Sequence, residues 1–261
     1  MESKAQRRSE PEISYFELQA YVGTTKHLGG FDTTQELIAK CQIDGHAYVL
    51  EVGCGVGATA CYLAKQYGCR VMGVDLRETM IANANARAGQ EGVEALVEFR
   101  VADAQSLPFD EATFDVVFCE SVATFIEDKQ LVANELARVA KPGGRVGLNE
   151  EVWLKPPPDG MAAKVQSIWG IEPDIPTVAD WLTWLDKAGL GNVEHMVYAF
   201  DARREATQLK RYRFRDMWRM FYRTLGLLLK SPSFREYMRG RQRVPKDLFK
   251  YFGYVLLVGT R

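Results

Sequence analysis

The chain has few cysteines and no long apolar run, and each shortage excludes a class of protein. It contains five cysteines in 261 residues, with no Cys-x-x-Cys pair and no cluster of cysteines with its three histidines. This pattern excludes a disulfide framework and offers no zinc-binding spacing, so we predict no metal site. No apolar run approaches the roughly 18 residues of a membrane-spanning helix, and the polar start at 1–11 has no apolar leader. We therefore expect a cytoplasmic protein.

The composition is that of one globular core with an uneven distribution of charge. Hydrophobic residues make up 47% of the chain, enough for one large core, alone or with an attached cap. The net charge is only −1, but residues 201–250 contain 15 Lys/Arg and 5 Asp/Glu, which gives a local charge of +10. The remaining residues therefore carry −11, and the chain is strongly polarised.

The most informative segment is Tyr48–Ala60, which is typical of a buried strand, a glycine-rich turn and a helix. Gly53, Gly55 and Gly57 lie at alternate positions, so the backbone can bend tightly and approach a ligand. Glu51 precedes them by two residues, where a negative charge disfavours a pyrophosphate and favours a cation. The pattern indicates a ligand with an ammonium or sulfonium group rather than a dinucleotide.

Two later predicted strands end in acidic residues. The strand Arg70–Asp75 ends 20 residues after Gly55, a separation at which a carboxylate can accept hydrogen bonds from ribose hydroxyls. The strand Leu96–Asp103 also ends in an acid, which can accept from an adenine amino group. Acids at strand ends also commonly cap helices or face water, so each position alone is ambiguous.

Further strands alternate with helical segments, and such alternation predicts a parallel sheet. The remaining predicted strands are Phe114–Glu120, Arg145–Asn149, Val193–Phe200 and Tyr254–Val258.

Five motifs in this order resemble the class I S-adenosylmethionine-dependent methyltransferases, in particular the branch that contains ubiquinone, sterol, tocopherol and phosphoethanolamine methyltransferases. The resemblance covers residues 48 to about 152. The motifs are Glu51–Gly57, Val74-Asp75, Ala102–Ala104, Phe114–Val117 and Val139–Gly144. It implies an α/β, Rossmann-like, doubly wound sheet, mostly parallel, with an antiparallel last strand. It also implies S-adenosylmethionine as cofactor and S-adenosylhomocysteine as product.

The resemblance assigns roles to the cofactor residues. The three glycines cradle the methionine part, Asp75 binds the ribose, Leu76 packs on the adenine and Asp103 binds its amino group. The full predicted set is Glu51, Gly53, Cys54, Gly55, Gly57, Asp75, Leu76, Asp103, Ala104 and Glu120. Nucleic-acid methylation is disfavoured, because the segment Glu120–Thr124 lacks the Asp/Asn-Pro-Pro-aromatic run of that branch.

Methyl transfer requires alignment more than acid–base groups, so few catalytic residues are expected. Glu120 and His27 are the candidate bases. Glu120 is equally suited to hold the cofactor's ammonium or to cap a helix, and His27 is also consistent with an ordinary loop residue. The candidate substrate residues are Tyr15, Tyr21, Asn149, Trp153, Arg215 and Trp218.

About fifty residues separate the last two predicted strands, where the family usually has a simple hairpin. Apolar residues at 214, 218, 221, 225 and 228 share one helical face, and arginines at 211, 215, 219 and 223 share another. Either the aromatic face packs on the sheet and the arginines are solvated, or the helix is a lid that contacts an anionic surface. The predicted units are N-terminal cap helices at 1–47, a cofactor domain at 48–200, a basic helical insert at 201–250 and the last strand at 251–261.

The sequence therefore predicts methyl transfer to a small or lipid-like acceptor. The alternative is a cofactor-binding protein or methyltransferase that engages nucleic acid or a protein partner through the basic insert. A peripheral contact with an anionic membrane is a further expectation, and nucleic acid is the less favoured partner. Neither the acceptor atom nor the oligomeric state follows from the sequence.

Overall fold

The computed structural model describes residues 15–162, 174–241 and 247–261 and contains a seven-stranded sheet within them. Its order is β3-β2-β1-β4-β5-β7-β6, with β1 to β5 parallel and β7 antiparallel to both β5 and β6. The predicted Rossmann-like fold class is confirmed. The strands are β1 Tyr48–Val52, β2 Arg70–Asp75, β3 Val97–Val101, β4 Phe114–Glu120, β5 Ala140–Trp153, β6 Gly191–Ala199 and β7 Phe252–Thr260.

Helices connect the strands and precede the first of them. The helices before β6 are α1 Tyr15–Val22, α2 Gly30–Lys40, α3 Ala58–Tyr67, α4 Glu78–Glu91, α5 Lys129–Val139 and α6 Val178–Lys187. Between β6 and β7 are α7 Ala202–Ala206, α8 Phe214–Lys230 and α9 Pro232–Arg241. Single 3-10 turns occur at Ala123–Phe125, Thr207–Arg211 and Leu248–Lys250. The residues that separate the last two strands are thus largely helical.

Strand β5 is longer than the sequence predicts, because β7 pairs with it along most of its length. The register runs without interruption from Arg145 opposite Thr260 to Trp153 opposite Phe252. At the other end, the predicted Pro-Gly-Gly turn is drawn into the sheet, where the Gly143 N–H donates to the Arg261 carbonyl at 2.8 Å. A partner strand about a hundred residues away in sequence thus extends β5.

Both faces of the sheet are covered by apolar side chains. In β1, Leu50 lies in the cluster that contains Trp181 of α6, whereas its neighbour Val49 lies in the cluster that contains Leu37 of α2. Successive strand residues point to opposite faces, so a strand buried on both faces requires a continuous apolar run. This explains why the core strands lack an alternating pattern.

The strand order reverses beside β1, which pairs with β2 on one side and β4 on the other. In open parallel sheets the crevice at the carboxyl ends of such strands is the usual ligand site. The residues between β6 and β7 reach the same region: α7 and the turn Thr207–Arg211 contact α2, and α8 contacts α1. No helix among the described residues has the length and apolar character to cross a membrane.

Candidate active site

The loop between β1 and α3 bends on glycines that have no room for a side chain. Gly53 and Gly55 have φ of 73° and 52°, in the left-handed region. A Cβ on Gly53 would lie 2.1 Å from Cγ2 of Val122, and one on Gly55 would lie 1.9 Å from Cγ2 of Thr25. Glycine is therefore required twice over, for backbone conformation and for close approach.

Gly57 packs against the sheet side of the loop rather than lining the cavity described below. Its φ is 69°, and a Cβ there would meet Phe99 at 2.8 Å and Ala84 at 2.9 Å. Gly57 lets α3 start close to the sheet, and its contact with the methionine part of the cofactor stays a prediction.

A cavity of about 410 Å³ opens at the carboxyl ends of the central strands, next to this loop. It is lined by every predicted cofactor residue except Gly57, and His27 also borders it. The predicted residues present are Glu51, Gly53, Cys54, Gly55, Asp75, Leu76, Asp103, Ala104 and Glu120.

The two acids predicted from the strand ends each organise a turn at the cavity wall. The Asp75 carboxylate accepts from the backbone N–H groups of Gly55 and Arg77, both at 3.0 Å, and burial raises its pKa. The Asp103 carboxylate accepts from the Gln105 N–H at 2.9 Å. Leu76 is 61% exposed and borders the cavity between these acids, as a surface for a flat apolar ring would.

Glu51 is buried with one oxygen unsatisfied. The Thr59 side chain and the Ala60 backbone hydrogen-bond to the carboxylate, but Oε2 has no partner among the described residues. Burial, assisted by the nearby charge of Glu120, raises the Glu51 pKa to about 8. A positively charged ligand would supply the missing partner and favour the ionised form.

Arg211 reaches the same cavity from the far end of the chain. Its guanidinium donates to Oγ1 of Thr59 at 2.8 Å and to Nε2 of His27 at 3.0 Å. Its Nε has no partner within the described residues, although it is buried. Two residues of the cavity lining, Glu51 and Arg211, thus each have one buried polar atom without a partner among the described residues.

The sequence interpretation missed Arg211 because it placed this residue on a helical face with three other arginines. Helix α8 begins only at Phe214, and Arg211 ends the preceding 3-10 turn. The Asp216 carboxylate accepts from the Arg213 N–H at 3.2 Å, as an acid in the first turn of a helix does. That acidic residue was the available signal that the helix starts after Arg211.

His27 is held in a buried hydrogen-bonded network rather than presented to a substrate. Its Nδ1 lies 3.1 Å from the Leu28 carbonyl, so we assign the proton to Nδ1, which leaves Nε2 to accept from Arg211. Burial lowers the pKa of His27 and favours the neutral ring at pH 7. Glu120 lies beside it and accepts from the Thr34 hydroxyl at 3.1 Å.

Comparison with known proteins identifies the central part of the chain. The methyltransferase-domain family matches residues 50–148. These residues form a class I methyltransferase domain. The predicted resemblance is confirmed for them, and the cavity lies at the carboxyl ends of their strands.

Individual relatives share this domain. Phosphoethanolamine N-methyltransferase 1 of Triticum aestivum is 36% identical over 132 residues, which is 51% of this chain and 25% of the relative. Phosphoethanolamine N-methyltransferase 2 of Haemonchus contortus, solved with S-adenosyl-L-methionine, superposes with a TM-score of 0.74 at 19% identity over 97% of this chain and 58% of that one. The [4+2]-cyclase SpnF superposes with a TM-score of 0.70 at 20% identity, over 94% and 91% of the two chains.

These likenesses show the domain and the fold. Curated relatives are matched over shares of their own length that run from 25% in the wheat enzyme to 59% in a streptomycete methyltransferase. A cyclase on the same fold demonstrates that the fold alone does not determine the activity. The activity must therefore be argued from the site.

Asn149 does not line the cavity at the glycine loop. Its Nδ2 is 3.0 Å from the Leu28 carbonyl and 3.2 Å from Nδ1 of His27, and the residue is fully buried. The predicted substrate contact of Asn149 therefore has no support from the cavity lining. Asn149 fixes the segment that contains His27.

The adjacent Glu150 is also turned away from the cavity. Its carboxylate accepts from the backbone N–H groups of Val122, Ala123 and Thr124 at 3.0–3.1 Å. Because Val122 in turn abuts Gly53, this buried carboxylate holds one wall of the glycine loop in position.

Two more predicted substrate residues face other parts of the molecule. Tyr21 is 53% exposed, and its carbonyl accepts from Arg223 at 2.8 Å. Trp153 packs edge to face on Phe252, with ring centroids 5.9 Å apart. Neither lines the cavity, because β5 extends through Trp153 and orients it into a separate apolar cluster. The side chain of Tyr15 lies outside the described residues.

The substrate residues predicted on α8 are also not at the cavity. Arg215 and Trp218 are exposed on the outer side of this helix. The sequence left open whether the aromatic face packs on the sheet, and the structure turns this face outward.

A second cavity, of about 520 Å³, lies between α1 and the helices that follow β6. Gln19, Thr25 and Lys26 line both cavities, so the two are neighbours. Most of the other lining side chains are apolar: Leu18, Val22, Ala202, Ala206, Leu209, Phe234 and Met238.

The segment between α1 and α2 is fastened over the glycine loop by the insert. The Tyr212 hydroxyl accepts from the Thr25 N–H at 2.9 Å and donates to the Thr25 carbonyl at 3.0 Å. Gln208 also donates to that carbonyl at 3.2 Å. Because Thr25 lies against Gly55, these bonds couple the insert to the cofactor loop.

Proposed function

We propose that this chain transfers the methyl group of S-adenosylmethionine to a small amphiphilic acceptor. The observation that carries the proposal is that two residues lining the first cavity each have a buried polar atom without a partner among the described residues, Glu51 Oε2 and Arg211 Nε. The methionine end of the cofactor is a zwitterion, with an ammonium that suits Glu51 and a carboxylate that suits Arg211. The glycine loop lets the backbone approach it closely.

The rest of the cavity suits the nucleoside part. Asp75 is positioned to hold the ribose hydroxyls, and Leu76 with Asp103 borders the space for an adenine ring. The bound cofactor would supply a methyl group on a positively charged sulfur that can leave as a neutral thioether when a nucleophile attacks the methyl carbon in line. The protein then needs to align the acceptor and exclude water.

The acceptor class follows from the second cavity. It is mainly apolar with a few polar groups, such as Lys26 and Glu205, as is usual for sites that bind small amphiphiles. Glu120 is the better candidate base where the acceptor carries a proton, since it lines the first cavity. His27 already accepts from Arg211 at Nε2, so we assign it a positioning role.

The alternative function, in which the insert holds nucleic acid, loses support from the way the arginines point. Arg211 turns into the cavity and Arg223 bonds to the Tyr21 carbonyl, so the predicted row of arginines does not form one outer face. Contact with the phosphate backbone of a nucleic acid would need an uninterrupted row of basic side chains.

The proposal is tested by calorimetry with S-adenosylhomocysteine, followed by transfer of a labelled methyl group from the cofactor to a panel of amphiphilic amines, alcohols and phenols. We expect one binding site per chain and turnover with some members of the panel. Absence of binding to folded protein would refute the cofactor assignment, and binding without turnover on any acceptor would refute the proposed reaction.

Ala206→Trp is expected to fill part of the second cavity and raise the KM for the acceptor at least about tenfold, since a few lost apolar contacts of this size reach that effect. The Kd of S-adenosylhomocysteine should stay unchanged, because Ala206 does not line the first cavity. Val197→Trp, at a residue that is 45% exposed on β6, is the matched control. Equal KM values for the two variants would show that the acceptor does not bind in the second cavity.

A further inference from the structure

Helix α8 exposes a continuous apolar stripe to solvent. Phe214 is 68% exposed, Tyr222 is 63% exposed and Leu229 is 73% exposed. The stripe consists of Phe214, Trp218, Phe221, Tyr222, Leu225, Leu228 and Leu229. Their spacing of three, four and seven residues puts them on one side of the helix, about a third of its circumference wide.

The opposite side of α8 attaches the helix to the protein. Met217 and Met220 pack against an apolar cluster that contains Val56 and Tyr212, and Arg223 donates to the Tyr21 carbonyl at 2.8 Å. The aromatic residues of the stripe contact each other instead, as Trp218 stacks on Tyr222 with centroids 5.6 Å apart. A surface helix normally turns such a stripe inward.

Positive charge surrounds the stripe. Residues 213–239 contain seven Lys/Arg and two Asp/Glu, a net charge of +5. One of the two acids, Asp216, is 3.7 Å from Arg87 and therefore already neutralised within the protein. On the edge of the stripe, Arg215, Arg219 and Lys230 are exposed. A partner for this face has to combine an apolar interior with negative charge at its surface.

We propose that α8 docks the protein on an anionic lipid surface, with the stripe at the boundary between headgroups and acyl chains. A basic amphipathic helix with Trp and Phe on its apolar side is the kind of helix that lies in that layer. A second copy would bring two segments of net charge +5 together, and the phosphate backbone of a nucleic acid would leave the wide apolar stripe exposed. Lipid satisfies both features.

The docking proposal does not depend on the proposed reaction, but it explains the position of the second cavity. Thr224, on the side of α8 away from the stripe, lines that cavity together with Phe234 and Met238 of α9. An amphiphile in the lipid layer would therefore meet the cavity beneath the docked helix.

Sedimentation with vesicles tests the docking. The probes are phosphatidylcholine alone and phosphatidylcholine with about 30 mol% phosphatidylserine, at low and high salt. We expect binding to the anionic vesicles only, and weaker binding at high salt. The double variant Phe221→Glu/Leu225→Glu should bind at least about tenfold more weakly. The control Leu131→Glu changes a residue on α5 that is 39% exposed and should bind like the wild type.

Two further measurements complete the test. Brominated lipid should quench the tryptophan fluorescence of the wild type, and Trp218→Phe should lose that quenching. This measurement does not need the double variant, so it tests the docking even if that variant folds poorly. Equal binding to neutral and anionic vesicles, or by the double variant and the control, would overturn the proposal. So would self-association that the double variant abolishes, without vesicle binding, because a second copy would then cover the stripe.

Discussion

Glu51→Gln is expected to weaken cofactor binding and, in the ligand-free protein, to raise thermal stability at pH 8. The affinity for S-adenosylhomocysteine should fall roughly 10- to 100-fold, because the neutral amide cannot form a charge-assisted hydrogen bond with the ligand's ammonium. The same change removes a carboxylate that is buried with one oxygen unsatisfied. Function and stability therefore move in opposite directions at this residue.

The pH dependence of the stability follows from the raised pKa. Burial raises the pKa of Glu51 from 4.5 to about 8, so between these values the folded state binds a proton that the unfolded state has lost. Stability of the wild type thus falls as pH rises through this interval and reaches its lower level above pH 8. Across the interval the loss is on the order of 4 kcal/mol. The Glu51→Gln variant has no titrating carboxyl at this position and therefore no such loss of stability.

Thermal unfolding of the two proteins between pH 5 and pH 9 measures this effect. The variant should melt at nearly the same temperature as the wild type at pH 5 and roughly 10 °C higher at pH 8. Glu111→Gln, at an exposed residue, is the control and should follow the wild type. A constant difference across the pH range would show that Glu51 is not a buried acid of raised pKa.

Ligand binding should show the reverse dependence in the wild type. Since the ammonium requires the ionised carboxylate, affinity should rise about tenfold for each pH unit from 6 towards 8. Calorimetry at pH 7 in buffers with different heats of ionisation should detect release of nearly one proton per ligand. The Gln variant should release none from this position, and equal release by both proteins would contradict the assignment.

The glycine loop and its acids were predictable because each signal is local in sequence. Gly53 and Gly55 are needed by the backbone itself, and Asp75 follows directly from its strand. The extension of β5 was not predictable, since its limits come from pairing with β7. Arg211 was missed for a similar reason: its contact with Thr59 joins residues 152 positions apart.

Helix α8 illustrates a second limit of sequence interpretation. Its periodicity correctly predicted a helix with one apolar face, but a periodic pattern does not indicate whether that face meets the core or solvent. The structure turns Phe214 and Trp218 outward, because Met217 and Met220 already fill the contact with the domain. Of the two alternatives left open for this helix, the structure therefore does not support packing of the aromatic face on the sheet.

Arg211→Met is expected to reduce the affinity for S-adenosylhomocysteine about 100-fold, the upper range for loss of a charged hydrogen-bond partner. Methionine keeps much of the side-chain length and removes the guanidinium that would bind the ligand's carboxylate. Arg211 is also one of the charges that lower the pKa of Glu51. Its loss should therefore shift the pH dependence of binding to higher pH.

A truncated ligand separates a binding role of Arg211 from a purely structural one. Methylthioadenosine lacks the amino and carboxyl groups, so its affinity should be nearly the same for the wild type and Arg211→Met. Arg211→Lys should recover part of the affinity for S-adenosylhomocysteine, because lysine keeps the charge but not the planar fork. Arg215→Met, on the exposed side of α8, is the matched control. An equal loss of affinity for both ligands in Arg211→Met would mean that Arg211 only supports the shape of the cavity. The proposal that Arg211 binds the ligand's carboxylate while Glu51 binds its ammonium would then be wrong.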